Sequence, residues 1–208
     1  MSTKPILFNT EMVRAILDGR KSCTRRICKD ANECIVPDMD YYDPDKRTYA
    51  VHNYADKKHT DKLSIAERTC PICPGDILYV RETWHKGLER YIYRANYSDT
   101  EKFYRDGKEI EMKWHPSIHM PKEAARIWLK VTDVRVERLQ DITSKQICKE
   151  GIEVEEPYVL NGEEKRYAFS RLWDSTVKKS DLDRYGWNAN PWVWVIEFER
   201  CERGGIDG

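Results

Sequence analysis

Long apolar runs are missing from this chain of 208 residues: no stretch approaches the length of a membrane span. Behind Met1-Ser2-Thr3-Lys4-Pro5 there is no apolar segment of the kind that directs secretion, so the expectation is a cytoplasmic protein. Net charge is missing as well, with 36 basic against 36 acidic residues. That balance argues against a duplex-DNA binder held by bulk electrostatics, while leaving room for a local basic pocket. The seven cysteines form an odd set without a secretory context, which argues against a disulfide framework. No internal repeat is visible.

What is present suits a globular protein. Apolar residues make up 40% of the chain, enough for a core, and charged residues 35%. A mean hydropathy of -0.79 assigns much of the chain to solvated surface or loop. The length fits one large domain or two small ones. The expected organisation is a single domain over 1–203, with an insertion over 29–72 and a disordered tail over 204–208. Residues 1–30 carry seven basic residues against three acidic ones, whereas Glu150, Glu153, Glu155 and Glu156 make an acidic run. An anionic ligand is therefore expected near the N-terminal segment.

Pro5-Ile6-Leu7-Phe8 reads as a short strand. Asn9 or Thr10 can cap a helix running to about Asp18, with Glu11 in its first turn and Met12, Ala15 and Ile16 on its apolar face. Gly19 is placed to end that helix in a left-handed conformation. Residues 29–72 have poor periodicity and read as a long excursion with a hairpin around Arg47–Tyr54. After the Pro74-Gly75-Asp76 turn, residues 77–82 form a strand, with Arg90–Ala95 as its hairpin partner. Ala125–Leu139 is a long strand pattern with Ile127, Leu129 and Val131 on one face, and its period slips near Thr132-Asp133. Residues 143–150 form a short helix capped by Thr143 or Asp141 and stopped by Gly151. Residues 165–179 form another, with Phe169, Leu172 and Trp173 facing inward. Asn190-Pro191 turns the chain into a last strand, Trp192–Glu199. The expected fold class is α+β, mainly β: a small, partly closed barrel with peripheral helices.

Gly19-x-Lys21-x-x-Thr24-x-Arg26 after an N-terminal helix resembles the signature of the ASCH domain, a relative of the PUA RNA-binding barrel. Pro74-Gly75-Asp76 before a strand, Glu150-Gly151 after a short helix, and the final Trp-Val-Ile-Glu-Phe-type strand extend the resemblance. Val80-Arg81-Glu82-Thr83-Trp84, Pro116–Pro121 and Asn190–Val195 are similar to the longer ASCH proteins of phages and prophages. The resemblance implies a PUA-like fold with a cleft. It also implies relatedness to small ASCH amidohydrolases that remove the acetyl group of N4-acetylcytidine, and to others that bind or cleave RNA.

Lys21, Thr24 and Glu150 match the residues to which that amidohydrolase activity is assigned. The set is chemically coherent. Thr24 supplies a nucleophilic hydroxyl, Lys21 takes its proton provided its surroundings make the amine less basic, and Glu150 orients the lysine. The odd separation of Lys21 and Thr24 puts them on opposite faces of a flat strand, so a shared site requires a turn or bulge between them. Arg25 or Arg26 is the neighbouring cation that would make the Lys21 amine less basic; alternatively, Lys21 and Arg25 are solvated and Thr24 is an ordinary strand residue. Arg26 can hold a carboxylate or phosphate bidentately, or pair with a surface acid. Glu82 is expected to point inward and to need a cation, with Arg26 and Lys21 as candidates. Arg81, Trp84, Ser117 and His119 complete the candidate substrate-binding set, and Trp84, Trp114 and Tyr93 can stack a base or fill the core.

The mechanism needs no metal. Zinc nonetheless has candidate ligands in Cys28, Cys34, Cys70 and Cys73, with reduced thiols as the default. The expected partner is a modified nucleoside or RNA, with neither membrane nor duplex DNA. The function expected is recognition of that nucleoside and hydrolysis of an N4-acylcytidine-type amide. The alternatives are a non-catalytic RNA-binding module, an RNA nuclease, or a phage protein that docks on a host protein through its acidic 150–164 stretch.

Overall fold

Alternating and amphipathic segments become twelve strands and four helices in the computed structural model, which describes residues 1–29, 31, 35–54, 62–69, 71–153 and 163–203. In chain order these are β1 (Thr3–Leu7), α1 (Thr10–Leu17), β2 (Cys23–Ile27), β3 (Ile35–Asp43), β4 (Thr48–Tyr54) and β5 (Lys62–Thr69). There follow β6 (Ile77–Arg81), β7 (Trp84–Lys86), β8 (Tyr91–Tyr93), β9 (Phe103–Arg105), β10 (Lys108–Ile110) and β11 (Trp128–Arg138). The chain ends with α2 (Ser144–Lys149), α3 (Glu163–Thr176), α4 (Leu182–Tyr185) and β12 (Trp192–Cys201). The fold class is α+β and mainly β. The described strands group into separate open sheets rather than one closed barrel. Among the described residues, no helix is long and apolar enough to cross a membrane. The tail over 204–208 and most of the acidic stretch, 154–162, lie outside the described residues.

The chain divides into two compact units. One takes Met1–Arg20, Gly75–Lys130 and the chain from Glu199; the other takes Lys21–Pro74 and Val131–Phe198. In the first unit, β1 pairs in parallel with β6, and β6 pairs antiparallel with the start of β11 through Tyr79 and Trp128. The Asn9 side chain caps α1 by accepting from the Met12 N–H at 2.8 Å, as Asx caps do. Gly19, at φ 74°, lets the chain leave the helix in the left-handed region that glycine tolerates best. The buried residues of α1 are Val13, Ala15 and Ile16, so Val13 takes the inward position expected of Met12. Tyr91–Tyr93 pairs with Trp84–Lys86, not with the 77–82 strand as the sequence suggested. Both edges of β6 are already occupied by β1 and β11, which leaves that strand no edge to offer. Ile77, Met120, Ala125 and Trp128 form the core here, together with Trp84.

In the second unit, β12 lies between β11 and β2 and pairs antiparallel with β2 from Glu197↔Cys23 to Val193↔Ile27. Along β11 the in–out alternation slips at Thr132-Asp133, both exposed between buried Val131 and Val134. A capping box starts α2: the Gln146 N–H donates to the Thr143 hydroxyl, and the Gln146 side chain accepts the Thr143 N–H. Phe169 and Trp173 of α3 pack with Cys23, Leu139, Ile147, Val193 and Val195. Leu172, expected inward, is half-buried. The excursion after β2 forms a three-stranded antiparallel sheet, β3–β4–β5, whose β3–β4 connection turns through Arg47 at φ 56°. Its Tyr49, Val51 and Cys73 pack against Trp194 of β12.

Candidate functional site

Alternation along β2 decides which of the candidate residues meet. Cys23 and Arg25 share one face with Val193 and Val195, whereas Thr24 and Arg26 take the other, opposite Ile196 and Trp194. Lys21, two residues before the start of β2, forms a bridge to Glu150 at the end of α2 and belongs to the Arg25 side. Its ammonium donates to the Glu150 carboxylate at 2.7 Å, to the Glu150 carbonyl at 3.0 Å and to the Cys23 carbonyl at 2.7 Å. Arg25 donates to the other Glu150 oxygen at 3.0 Å and reaches Glu137 at 3.4 Å. Lys21 and Glu150 are thus brought together, and Arg25 joins them. Sequence reasoning had Arg25 beside Lys21 or in solvent and missed its pairing with Glu150, although a separation of four from Lys21 was the signal for it.

On the opposite face, the Thr24 hydroxyl accepts from Arg26 at 2.8 Å, and the same guanidinium nitrogen reaches the Arg25 carbonyl at 2.9 Å. Burial pushes the Arg26 guanidinium below its ordinary pKa, against the opposing pull of Glu150. Arg26 also lines a cavity of about 240 Å³ with Ile27, Pro71, Ile72, Val134, Trp194 and Ile196. That is smaller than the roughly 300–1,000 Å³ of sites for drug-sized ligands. Arg26 is the one charged residue among its lining residues. Pro71 and Ile72 come from the excursion after β2, and neither was among the expected site residues.

A charged network continues from the Lys21 side. Arg135 and Lys149 each donate to Glu197 at 2.8 Å, and Arg135 also bonds Glu137 and Asp133. Burial works to raise the Glu197 pKa, but the bonds from Lys149 and Arg135 outweigh it and hold the carboxyl below its ordinary value. Such a group adds stability above its unfolded pKa of about 4.3 and loses it as pH falls through the lower folded value. The melting temperature of the wild type is therefore expected to drop more steeply than that of Glu197→Gln between pH 5 and pH 3. Parallel profiles across that window would refute a stabilising role for the carboxylate. Cys23, in the same neighbourhood, is no nucleophile: burial pushes its thiol up to about 12, with Glu150 adding to the shift.

The remaining candidates lie in the first unit. The Glu82 carboxylate is held by neither Arg26 nor Lys21. Arg126 grips it bidentately, Nε to Oε1 and Nη2 to Oε2, both at 2.9 Å. Arg126 also lies 4.1 Å from the centre of the Tyr93 ring and donates to Asn96. Nothing in the local sequence announced it. Arg81 donates to the Met120 carbonyl at 2.7 Å. Trp84 is buried core, against Tyr91 and His115. Ser117 and His119 sit in a single 3-10 turn, with His119 exposed. Trp114 packs with Phe103 and Tyr97 beneath Arg94. Of the four cysteines proposed for zinc, Cys28 and Cys73 are buried, and Cys34 and Cys70 lie outside the described residues.

No protein-family model and no curated protein matches the sequence. Among solved structures, the chain is similar to the crystal structure of hypothetical protein PH0355, at 17% identity over 97% of this chain and 100% of that one, with a TM-score of 0.34. It is also similar to an ASCH domain from Lactobacillus crispatus JV V101, at 13% identity over 96% of this chain and 79% of that one, with a TM-score of 0.36. At these TM-scores neither superposition carries a fold or a function over to this chain.

Proposed function

We propose that the chain binds an RNA base or modified nucleoside on the Thr24–Arg26 face of β2. The observation that carries this reading is the small cavity lined by Arg26 among apolar and aromatic residues. A flat base contributes apolar faces to such walls and acceptor atoms to the guanidinium, which has donors only. The resemblance of Gly19–Arg26 to the ASCH signature supports the same class of ligand. The test is calorimetric titration of the wild type and Arg26→Ala with cytidine, N4-acetylcytidine and a short single-stranded RNA. Binding is expected in the wild type, with a loss of roughly 10–100-fold in Arg26→Ala, as for a charge-assisted hydrogen bond. Absence of binding by all three ligands to folded wild type refutes the proposal.

A second reading adds hydrolysis of an N4-acylcytidine-type amide; the contact of buried Lys21 with Glu150 supports it, with buried Thr24 on the other face of β2. Thr24 Oγ1 would attack the acyl carbon, the N4 amine would leave with a proton, and water would release the carboxylate. Lys21 as base and Glu150 as orienting acid would require the ammonium to give up two carbonyl partners and the Lys21-Ser22 backbone to turn. In the arrangement described, Arg26 is the group in contact with the Thr24 hydroxyl, suited to an oxyanion but unable to accept a proton. Release of cytidine from N4-acetylcytidine, lost in Thr24→Ala, would separate hydrolysis from binding alone.

A further inference from the structure

Two side-chain bonds tie the chain around α4 back onto α3. The Trp173 indole N–H donates to the Tyr185 carbonyl at 2.7 Å, and the Trp187 N–H donates to Asp174 Oδ1 at 2.7 Å. Gln140 fixes the next peptide by donating to the Trp187 carbonyl at 2.8 Å. The segment so held shares with Asp174 a cavity of about 360 Å³, within the range of sites for small ligands. It has no lining residue in common with the Arg26 cavity. Leu182 and Trp187 give it apolar surface, and its polar side chains are Asp174, Asp183 and Asn188. A Cβ on Gly186 would meet the Leu182 carbonyl oxygen at 2.6 Å and Asp174 Oδ1 at 3.3 Å, so glycine keeps the space beside that carboxylate clear. No lysine or arginine lines the cavity. Arg166, over the Trp187 ring, commits its terminal nitrogens to the Ile142 and Gln140 carbonyls. Among the described residues, nothing bonds to the second Asp174 oxygen, the Asp183 carboxylate or the Asn188 amide.

Acceptors from two helices and a turn thus line one cavity with negative charge and no balancing cation. A guanidinium is planar and carries five donors in a fixed fork, so a single cation reaches acceptors on several elements while its flat face lies against apolar surface. An ammonium offers only a compact point charge. We infer that this cavity binds an alkylguanidinium, the side-chain chemistry of arginine. Asp174 and Asp183 are its anionic partners and the Asn188 carbonyl a further acceptor. The ties to Tyr185 and Trp187 hold the walls in place beforehand, which keeps the ordering cost of binding low.

The experiment follows the amide NMR signals of the full chain during titration with methylguanidine, free L-arginine, N-acetylarginine N-methylamide and its neutral citrulline counterpart. Saturable shifts at Gly186, Trp187 and Asn188 are expected with the three guanidinium probes. The citrulline probe is expected to bind at least about tenfold more weakly, the scale of losing charge-assisted hydrogen bonds. Tighter binding of the blocked arginine than of L-arginine assigns the cavity to an arginine of a partner chain; the reverse assigns it to a free small molecule. Asp174→Asn and Asp183→Asn are each expected to weaken methylguanidine binding roughly 10–100-fold. Asn at 174 retains an oxygen for the Trp187 N–H, and Asp183 is exposed, so both variants keep the fold. Glu163→Gln, at the exposed start of α3, is expected to leave binding within about twofold. Equal binding of the citrulline probe, shifts mapping away from these residues, or wild-type affinity in both aspartate variants overturns the inference. So does the absence of saturable shifts in folded wild type.

Discussion

Glu150→Ala is expected to lower the unfolding free energy by about 3–5 kcal/mol, the scale of breaking a buried ion pair from one side. The side chains of Lys21, Arg25 and Glu150 are 0%, 1% and 5% exposed, so water cannot replace the lost carboxylate without opening the structure. Both Glu150 oxygens are in use, one on Lys21 and one on Arg25. Alanine would strand an ammonium with two backbone carbonyls and a guanidinium with Glu137 at 3.4 Å. Urea unfolding at neutral pH measures the loss. The triple variant Lys21→Met/Arg25→Met/Glu150→Leu is expected to recover much of it, because apolar groups of similar size often replace a buried ionic triad without penalty. A loss below about 1 kcal/mol in Glu150→Ala would mean that the pair behaves as a surface bridge.

Arg126→Ala is the corresponding experiment in the first unit, again with an expected loss of about 3–5 kcal/mol. Glu82 is 1% exposed and depends on Arg126 for a bond to each carboxylate oxygen. The truncation also removes the stacking on Tyr93 and the bond to Asn96, so the loss exceeds that of an isolated pair. Glu82→Gln in the Arg126→Ala background is expected to restore part of the stability, since a stranded amide costs less than a stranded charge. Thermal and urea unfolding of the two single variants and the double variant completes the cycle. A double variant no more stable than Arg126→Ala would show that lost packing of the guanidinium, not the stranded carboxylate, sets the cost.

Local periodicity made much of the architecture legible. The Asn9 cap, the Gly19 stop, the strand after Pro74-Gly75-Asp76, the slip at Thr132-Asp133 and the last strand are all written within a few residues of where they act. Pairings across long separations were not legible in this way. Nothing near Tyr91 says that it joins Trp84–Lys86 instead of β6. Glu82 announced its need for a cation, but Arg126 lies 44 residues away, beyond any pattern. Strand parity gave a correct warning at the site: Lys21 and Thr24 have different partners on different faces. The same parity links Lys21 to Arg25, which four-residue spacing makes visible in hindsight. The cavity wall was illegible because Pro71 and Ile72 reach Val134 and Trp194 only through the β3–β4–β5 sheet, whose sequence shows little periodicity.

The placement of β12 has a consequence for synthesis on the ribosome. Cys23 emerges early, but its partner on β12, Glu197, follows about 170 residues later. At the usual elongation rates of about 5–20 residues per second, the edge of β2 waits roughly ten to thirty seconds for its neighbour. During that time β2, which carries Arg25 and Arg26, has unsatisfied backbone groups exposed to other nascent chains. The three-stranded sheet β3–β4–β5 that follows β2 is complete well before β12 appears, so β2 is the strand of its own sheet that waits longest for its neighbour.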